Sequence, residues 1–172
     1  MSALYSAGGL SFYAPFAHGF TIAVLVVMMG KISGGYFNPA VAFGAACCGQ
    51  IKPIILLPFF IFFQVLGGFI GSLFVRASLP KDIYFTIIGG TTNLNNAAFT
   101  PAQGFAIEAM ITFLLVSAVI HAESDPDFPN PLAPWSIGMA LFVGVIAGGA
   151  ATGGSANPAR SIAPAMVYSI FH

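Results

Sequence analysis

The sequence predicts an all-α membrane protein in which an inverted repeat of spanning helices surrounds two re-entrant half-helices. Three observations carry this. The chain is 58% hydrophobic and only 6% charged over 172 residues, where a soluble domain carries about 25% charged residues. It therefore cannot cover a water-facing surface with polar groups. Four apolar stretches approach the roughly 20 residues that a spanning helix needs. The pattern Gly-Gly-x-x-Asn-Pro-Ala also occurs twice, in "GGYFNPAVA" at 34–42 and in "GGSANPARS" at 153–161.

Taken in chain order, residues 1–13 are rich in Gly, Ser and Tyr and read as a non-spanning lead-in. The first span covers about Ala14–Gly30. An apolar piece follows at about Pro39–Cys48, too short to span: ten helical residues reach about 15 Å, half a hydrocarbon core. The second span runs from Ile54 to Val75, bounded by Lys52 and Arg76. Residues 77–101, rich in Asn, Gly and Thr, read as a long loop. The third span, about Ala102–His121, contains Glu108. Residues 123–134 form an acidic, proline-rich loop that cannot be helical throughout. The fourth span covers about Ala133–Ala151, and a second short piece covers about Pro158–Ser169.

Several classes are disfavoured by composition. Five basic and five acidic residues give zero net charge, which does not suggest a nucleic-acid or acidic partner. Cys47 and Cys48 are adjacent, cannot form a disulfide framework, and read as small apolar fillers of a packed helix. The scattered Lys and Arg residues assign no orientation.

The two Asn-Pro-Ala copies lie 119 residues apart. At that offset Gly19 meets Gly138, Val24 meets Val143, Gly30 meets Gly149 and Gly34–Gly35 meet Gly153–Gly154. Two spans (54–75 and 102–121) plus the one belonging to the copy make an odd number, which turns the second copy over. Inverted repeats with broken helices are a membrane design for a midplane site. Chance similarity of Gly- and Ala-rich helices is the alternative; the long matched motif argues against it. Asn38 and Asn157 are N-caps whose oxygens accept from the first turn. Pro39 and Pro158 suit the first helical position. Ala40 and Ala159 keep the tips slim. Each amide NH₂ is then free to face whatever lies ahead. Backbone N–H groups at membrane depth must be satisfied or face water, so the tips imply a wet cavity facing two positive dipole ends. Such a cavity opposes cations and holds neutral molecules bearing a lone pair. The alternative is that each Asn-Pro starts a surface helix.

"SGGYFNPAV" and "TGGSANPARS" resemble the two signature loops of the aquaporin (major intrinsic protein) family, and the resemblance extends through "AHGFTIAVL", "GFAIEAMITFLLV" and "LAPWSIGMALFVG". It implies a family fold of six spans and two half-helices, commonly a homotetramer with one pore per subunit. The chain shows four full spans instead of six. It is expected to be a single partial aquaporin-like domain over 1–172, with a first repeat at about 14–76 and a second at about 102–172, truncated at both ends. By the resemblance, Asn38, Pro39, Ala40, Asn157, Pro158 and Ala159 are the pore motifs. The selectivity constriction falls at His18, Val145, Gly154 and Arg160. That set resembles the aquaammoniaporin-like branch, which also passes ammonia and hydrogen peroxide.

Arg160 has a second reading as a snorkelling interfacial residue, and His18 as a packed core residue. Glu108 matches a family glutamate that accepts from backbone N–H groups of a re-entrant loop, a structural brace. No nucleophile–base pair accompanies it, so catalysis is unsupported, and neither cofactor nor metal is implied. Lys31 reads as a headgroup contact. Gly67 with Gly71, and Gly144 with Gly148, form small-residue pairs suited to helix packing within the chain, with a contact between subunits of a tetramer as the alternative. His121 and the many Phe residues read as packing or lipid-facing.

The expected function is a passive multi-pass membrane channel for water and small neutral solutes that excludes protons and ions. The alternative is a truncated, non-conducting subunit that assembles with or sequesters full-length aquaporins. A secondary transporter ranks third, because Glu108 is the one available buried acid.

Overall fold

A computed structural model describes residues 13–122 and 130–172. The lead-in expected at the N-terminus, apart from Tyr13, and most of the acidic loop lie outside the described residues. Helix α1 is Tyr13–Ser33, α2 Pro39–Cys47, α3 Leu57–Ser78, α4 Lys81–Thr86, α5 Pro101–Ala122, α6 Ala133–Gly149 and α7 Pro158–Phe171. A 3-10 turn, Ile54–Leu56, leads into α3.

Three of these segments are long and apolar enough to cross a membrane: Tyr13–Ser33, Ile54–Ser78 and Pro101–Ala122. The fourth expected span is shorter. Helix α6 has 17 residues, about 25 Å of rise, because the chain turns at its end. Ala151 and Thr152 both donate to the Gly148 carbonyl, at 3.1 and 2.9 Å. The second half-helix is longer than expected: α7 runs 14 residues with Pro164 inside it. The stretch 77–101 is not loop throughout, since Pro80 starts the six-residue α4 and a 3-10 turn follows at Ile88–Gly90.

The repeat appears in the packing. Helices α1 and α6 lie backbone to backbone at Gly19 and Gly138. A Cβ on Gly19 would sit 2.7 Å from the Gly138 carbonyl oxygen, and one on Gly138 would sit 2.6 Å from that of Gly19. These two glycines are equivalent under the 119-residue offset. A position that touches its own equivalent lies at a two-fold relation, as in an isologous interface.

The obstacle at Gly19 is backbone, which no rotamer relieves. Gly19→Ala is therefore expected to cost about 1–3 kcal/mol, as overpacked cores do. Gly67→Ala is the control: its Cβ meets nothing within 4 Å, and Ala favours the helix by up to about 1 kcal/mol. Thermal melting of the two purified variants in one detergent should separate them; equal midpoints would contradict the contact.

The small-residue pairs behave unequally. Gly144 and Gly148 pack against Ile111 of α5, with Cβ approaches of 3.3 and 3.0 Å. Gly67 and Gly71 face open space, contrary to the expected packing within the chain, and Gly68 makes the contact instead: a Cβ there would stand 3.0 Å from the Ala163 Cβ of α7. The side of α3 that meets α7 is set by where the second half-helix lies, which a GxxxG spacing does not encode. Cys47 and Cys48 are exposed rather than packed. Helix α2 ends there, Gly49 turns the chain at φ +75°, and Ala42, Ala45 and Ala46 fill the core in their place. Along α3 no residue is buried, and Phe59, Phe62, Phe63 and Phe74 are exposed. Exposed apolar side chains along a spanning helix suit lipid.

Candidate functional site

The site begins with two helix starts. Asn38 holds an extended conformation, φ −148° and ψ 120°, and its Oδ1 accepts from the Ala40 N–H at 2.9 Å. Asn157 matches it, at φ −152° and ψ 111°, and accepts from Ala159 and Arg160 at 3.0 and 3.2 Å. Before each lies a glycine pair with positive φ: Gly34 and Gly35 at 77° and 64°, Gly153 and Gly154 at 91° and 63°. These left-handed positions turn the chain back, and side chains rarely adopt them.

The two tips meet. Asn38 Nδ2 donates to the Ala156 carbonyl at 2.7 Å, and Asn157 Nδ2 donates to the Phe37 carbonyl at 3.1 Å. Residues 37 and 156 are equivalent under the same offset, so the bonds form a reciprocal pair. This corrects the expectation that each amide NH₂ is wholly free. An amide carries two N–H groups. One ties the opposite tip, and one remains for whatever lies ahead.

Glu108, from α5, supports the second re-entrant segment. Its Oε1 accepts from the Ser155 N–H at 2.9 Å and from the Thr152 hydroxyl, and its Oε2 accepts from the Ala156 N–H at 2.9 Å. These are backbone groups that a turned-back chain leaves without helical partners. The first re-entrant segment has a smaller support: Gln64 Nε2 on α3 donates to the Tyr36 carbonyl. Sequence reasoning missed Gln64, although a lone amide inside an apolar span was its signal.

A cavity of about 270 Å³ lies against the tips. Asn38 and Asn157 line it, together with His18, Val145, Gly154 and Arg160. Leu25, Val26, Leu115, Ile137 and Leu141 make much of the remaining wall apolar. Gly154 admits no Cβ, which would stand 2.8 Å from the Val145 Cα. His18, Asn157 and Arg160 also border a wider groove between α1, α3 and α7. Arg160 is held from outside the cavity: its Nη1 donates to the Gly90 carbonyl at 2.9 Å and to the Thr92 hydroxyl at 3.2 Å. Lys31 is exposed at the end of α1. Among the described residues no group of His, Cys, Asp and Glu is placed to hold a metal ion.

These features define a class: a multi-pass helical membrane protein whose two repeats meet through paired half-helices at a small, mostly apolar cavity. The family model "Major intrinsic protein" matches residues 5–172, and the chain belongs to that family. It is 35% identical over 158 residues to Aquaporin-8 of Mus musculus, across 91% of this chain and 60% of that protein. It is 33% identical to Aquaporin NIP1-2 of Arabidopsis thaliana, across 89% and 52%. The X-ray structure of the aquaglyceroporin from Plasmodium falciparum superposes with a TM-score of 0.76 at 20% identity, over 94% of this chain and 68% of that one, a likeness of fold. The chain thus spans about 60% of the length of the mouse relative.

Proposed function

We propose that the chain forms a passive channel for water and small neutral solutes, including hydrogen peroxide and ammonia, that opposes protons and ions. The observation that carries this reading is the reciprocal Asn38–Ala156 and Asn157–Phe37 bonding of two half-helix tips beside one cavity. Both positive helix ends, about half a charge each, bear on that cavity, so a cation is repelled. A neutral solute can accept from the remaining amide hydrogens and from Arg160. His18, Val145, Gly154 and Arg160 act as the selectivity constriction, and Glu108 acts as the brace for the second motif. The two repeats, about 14–76 and 102–172, work as one channel domain. Family membership supports a homotetrameric assembly with one path per subunit.

The test is vesicle swelling. Purified chain in lipid vesicles should raise water and peroxide permeability above that of empty vesicles without dissipating a proton gradient. Light scattering that matches empty vesicles would overturn the channel reading. His18→Phe replaces an imidazole by a bulkier, apolar ring at the constriction. It is expected to lower ammonia and peroxide flux relative to water by roughly tenfold, the loss typical of a polar contact and its space. Unaltered relative flux would remove His18 from the constriction.

A further inference from the structure

We propose that Thr92 is a positioning residue that sets solute discrimination through Arg160. Its place in the fold supports this. Residues 93–95 run beside the second re-entrant segment: the Asn93 N–H donates to the Thr152 carbonyl at 3.2 Å, and the Asn95 N–H donates to that of Ala151 at 2.8 Å. This holds Thr92 behind the guanidinium. Thr92 does not line the cavity that Arg160 lines; it borders a recess on the α5 side that shares Ser155 and Asn157 with it. Its contact with the side chains of the constriction is the bond to Arg160.

The hydroxyl of Thr92 is a junction. Its Oγ1 accepts from Arg160 Nη1 at 3.2 Å and from Ser161 Oγ at 3.1 Å. Ser161 Oγ lies 2.5 Å from Ser155 Oγ, and the Ser155 N–H donates to Glu108. A continuous chain of polar contacts thus runs from the brace to the guanidinium. Arg160 has few other anchors. Nη1 also donates to the Gly90 carbonyl at 2.9 Å, while the buried Nε has no hydrogen-bond partner among the described residues. Removing the Thr92 hydroxyl leaves one acceptor among the described residues, the Gly90 carbonyl, holding the fork. A guanidinium held by one bond samples a wider arc, and the arc away from the loop crosses the cavity it shares with His18, Val145 and Gly154. The passage then narrows for part of the time, and the larger of two solutes loses more.

This inference rests on the channel reading above. The test compares the full wild-type chain with Thr92→Val and Thr92→Ser in vesicles, reading the ratio of hydrogen peroxide to water permeability. A ratio does not depend on how much protein is incorporated, so a variant that merely folds less well leaves it unmoved. Valine keeps the branched shape without the acceptor and is expected to lower the ratio roughly threefold to tenfold, the range of one typical intramolecular hydrogen bond. Serine restores the acceptor and should restore the ratio. If wild-type chain conducts and Thr92→Val keeps the wild-type ratio, or if serine fails to restore it, the positioning role is overturned. If wild-type chain itself adds no flux, the channel reading falls first and this inference falls with it.

Discussion

Glu108→Gln is expected to destabilise the protein by about 2–4 kcal/mol, more than any other single change considered for this chain. The carboxylate accepts from three donors: the N–H groups of Ser155 and Ala156 and the hydroxyl of Thr152. An ionised carboxylate offers acceptors on both oxygens, whereas a carboxamide offers one oxygen and one NH₂. Whichever way glutamine turns, its NH₂ faces a backbone N–H, donor against donor. The orphaned group then carries a desolvation cost of about 1–3 kcal/mol, and the charge-assisted strength of the bond that remains is lost as well. The damage falls on the segment that carries Asn157, so the reciprocal bond to Phe37 weakens with it. The Thr152 hydroxyl can turn to Gly148, whose carbonyl lies 3.3 Å away, so the Ala156 and Ser155 amides bear the loss. Thermal unfolding in detergent, followed by size-exclusion profile, should show a clearly lower midpoint and reduced yield. A midpoint equal to that of wild type would mean that the brace carries no weight.

The parts of this architecture that were legible in the sequence are those set by local rules. Asn before Pro before Ala writes an N-cap and a first helical position, so the starts at Pro39 and Pro158 could be read directly. The 119-residue offset made the meeting of the tips readable, because a repeat related by a two-fold axis brings equivalent positions together. The positions of His18, Val145 and Gly154 followed from counting along a family pattern; no local rule picks out a valine or a glycine. What stayed hidden depends on chain segments distant in sequence. Thr92 and Gly90 sit in an Asn-, Gly- and Thr-rich stretch where nothing marks one hydroxyl or carbonyl above its neighbours, yet the fold sets both against Arg160. That one hydrogen of each Asn amide ties the opposite tip is not legible locally, because the carbonyl it meets belongs to the other repeat. The exposure of Cys47 and Cys48 goes with the end of α2 at Cys47 and the turn at Gly49.

If the chain conducts as proposed, Arg160→Leu is expected to raise its proton and cation leak by roughly threefold to hundredfold while leaving water flow intact. The guanidinium lines the same cavity as the two Asn tips. A unit charge about 6 Å from a passing cation opposes it by roughly 0.7 kcal/mol if the path behaves as bulk water and by roughly 3 kcal/mol at an effective dielectric of about 20. A narrow wet cavity with apolar walls lies between these limits, which brackets the effect at roughly threefold to hundredfold. The leak should nevertheless stay far below that of an open cation pore. Leucine leaves the two half-helix ends untouched, and together they contribute about one further positive charge. Arg160→Lys separates charge from shape. It keeps the cation barrier, but an ammonium lacks the planar fork that reaches the Gly90 carbonyl and the Thr92 hydroxyl at once. Lysine should therefore hold protons out as wild type does and still alter the peroxide-to-water ratio. A pH-sensitive dye trapped in vesicles reads the leak, and light scattering reads the water flow on the same preparation. If Arg160→Leu conducts water normally and holds a proton gradient as long as wild type, the helix ends alone suffice for exclusion and the half-buried guanidinium serves solute contact rather than charge.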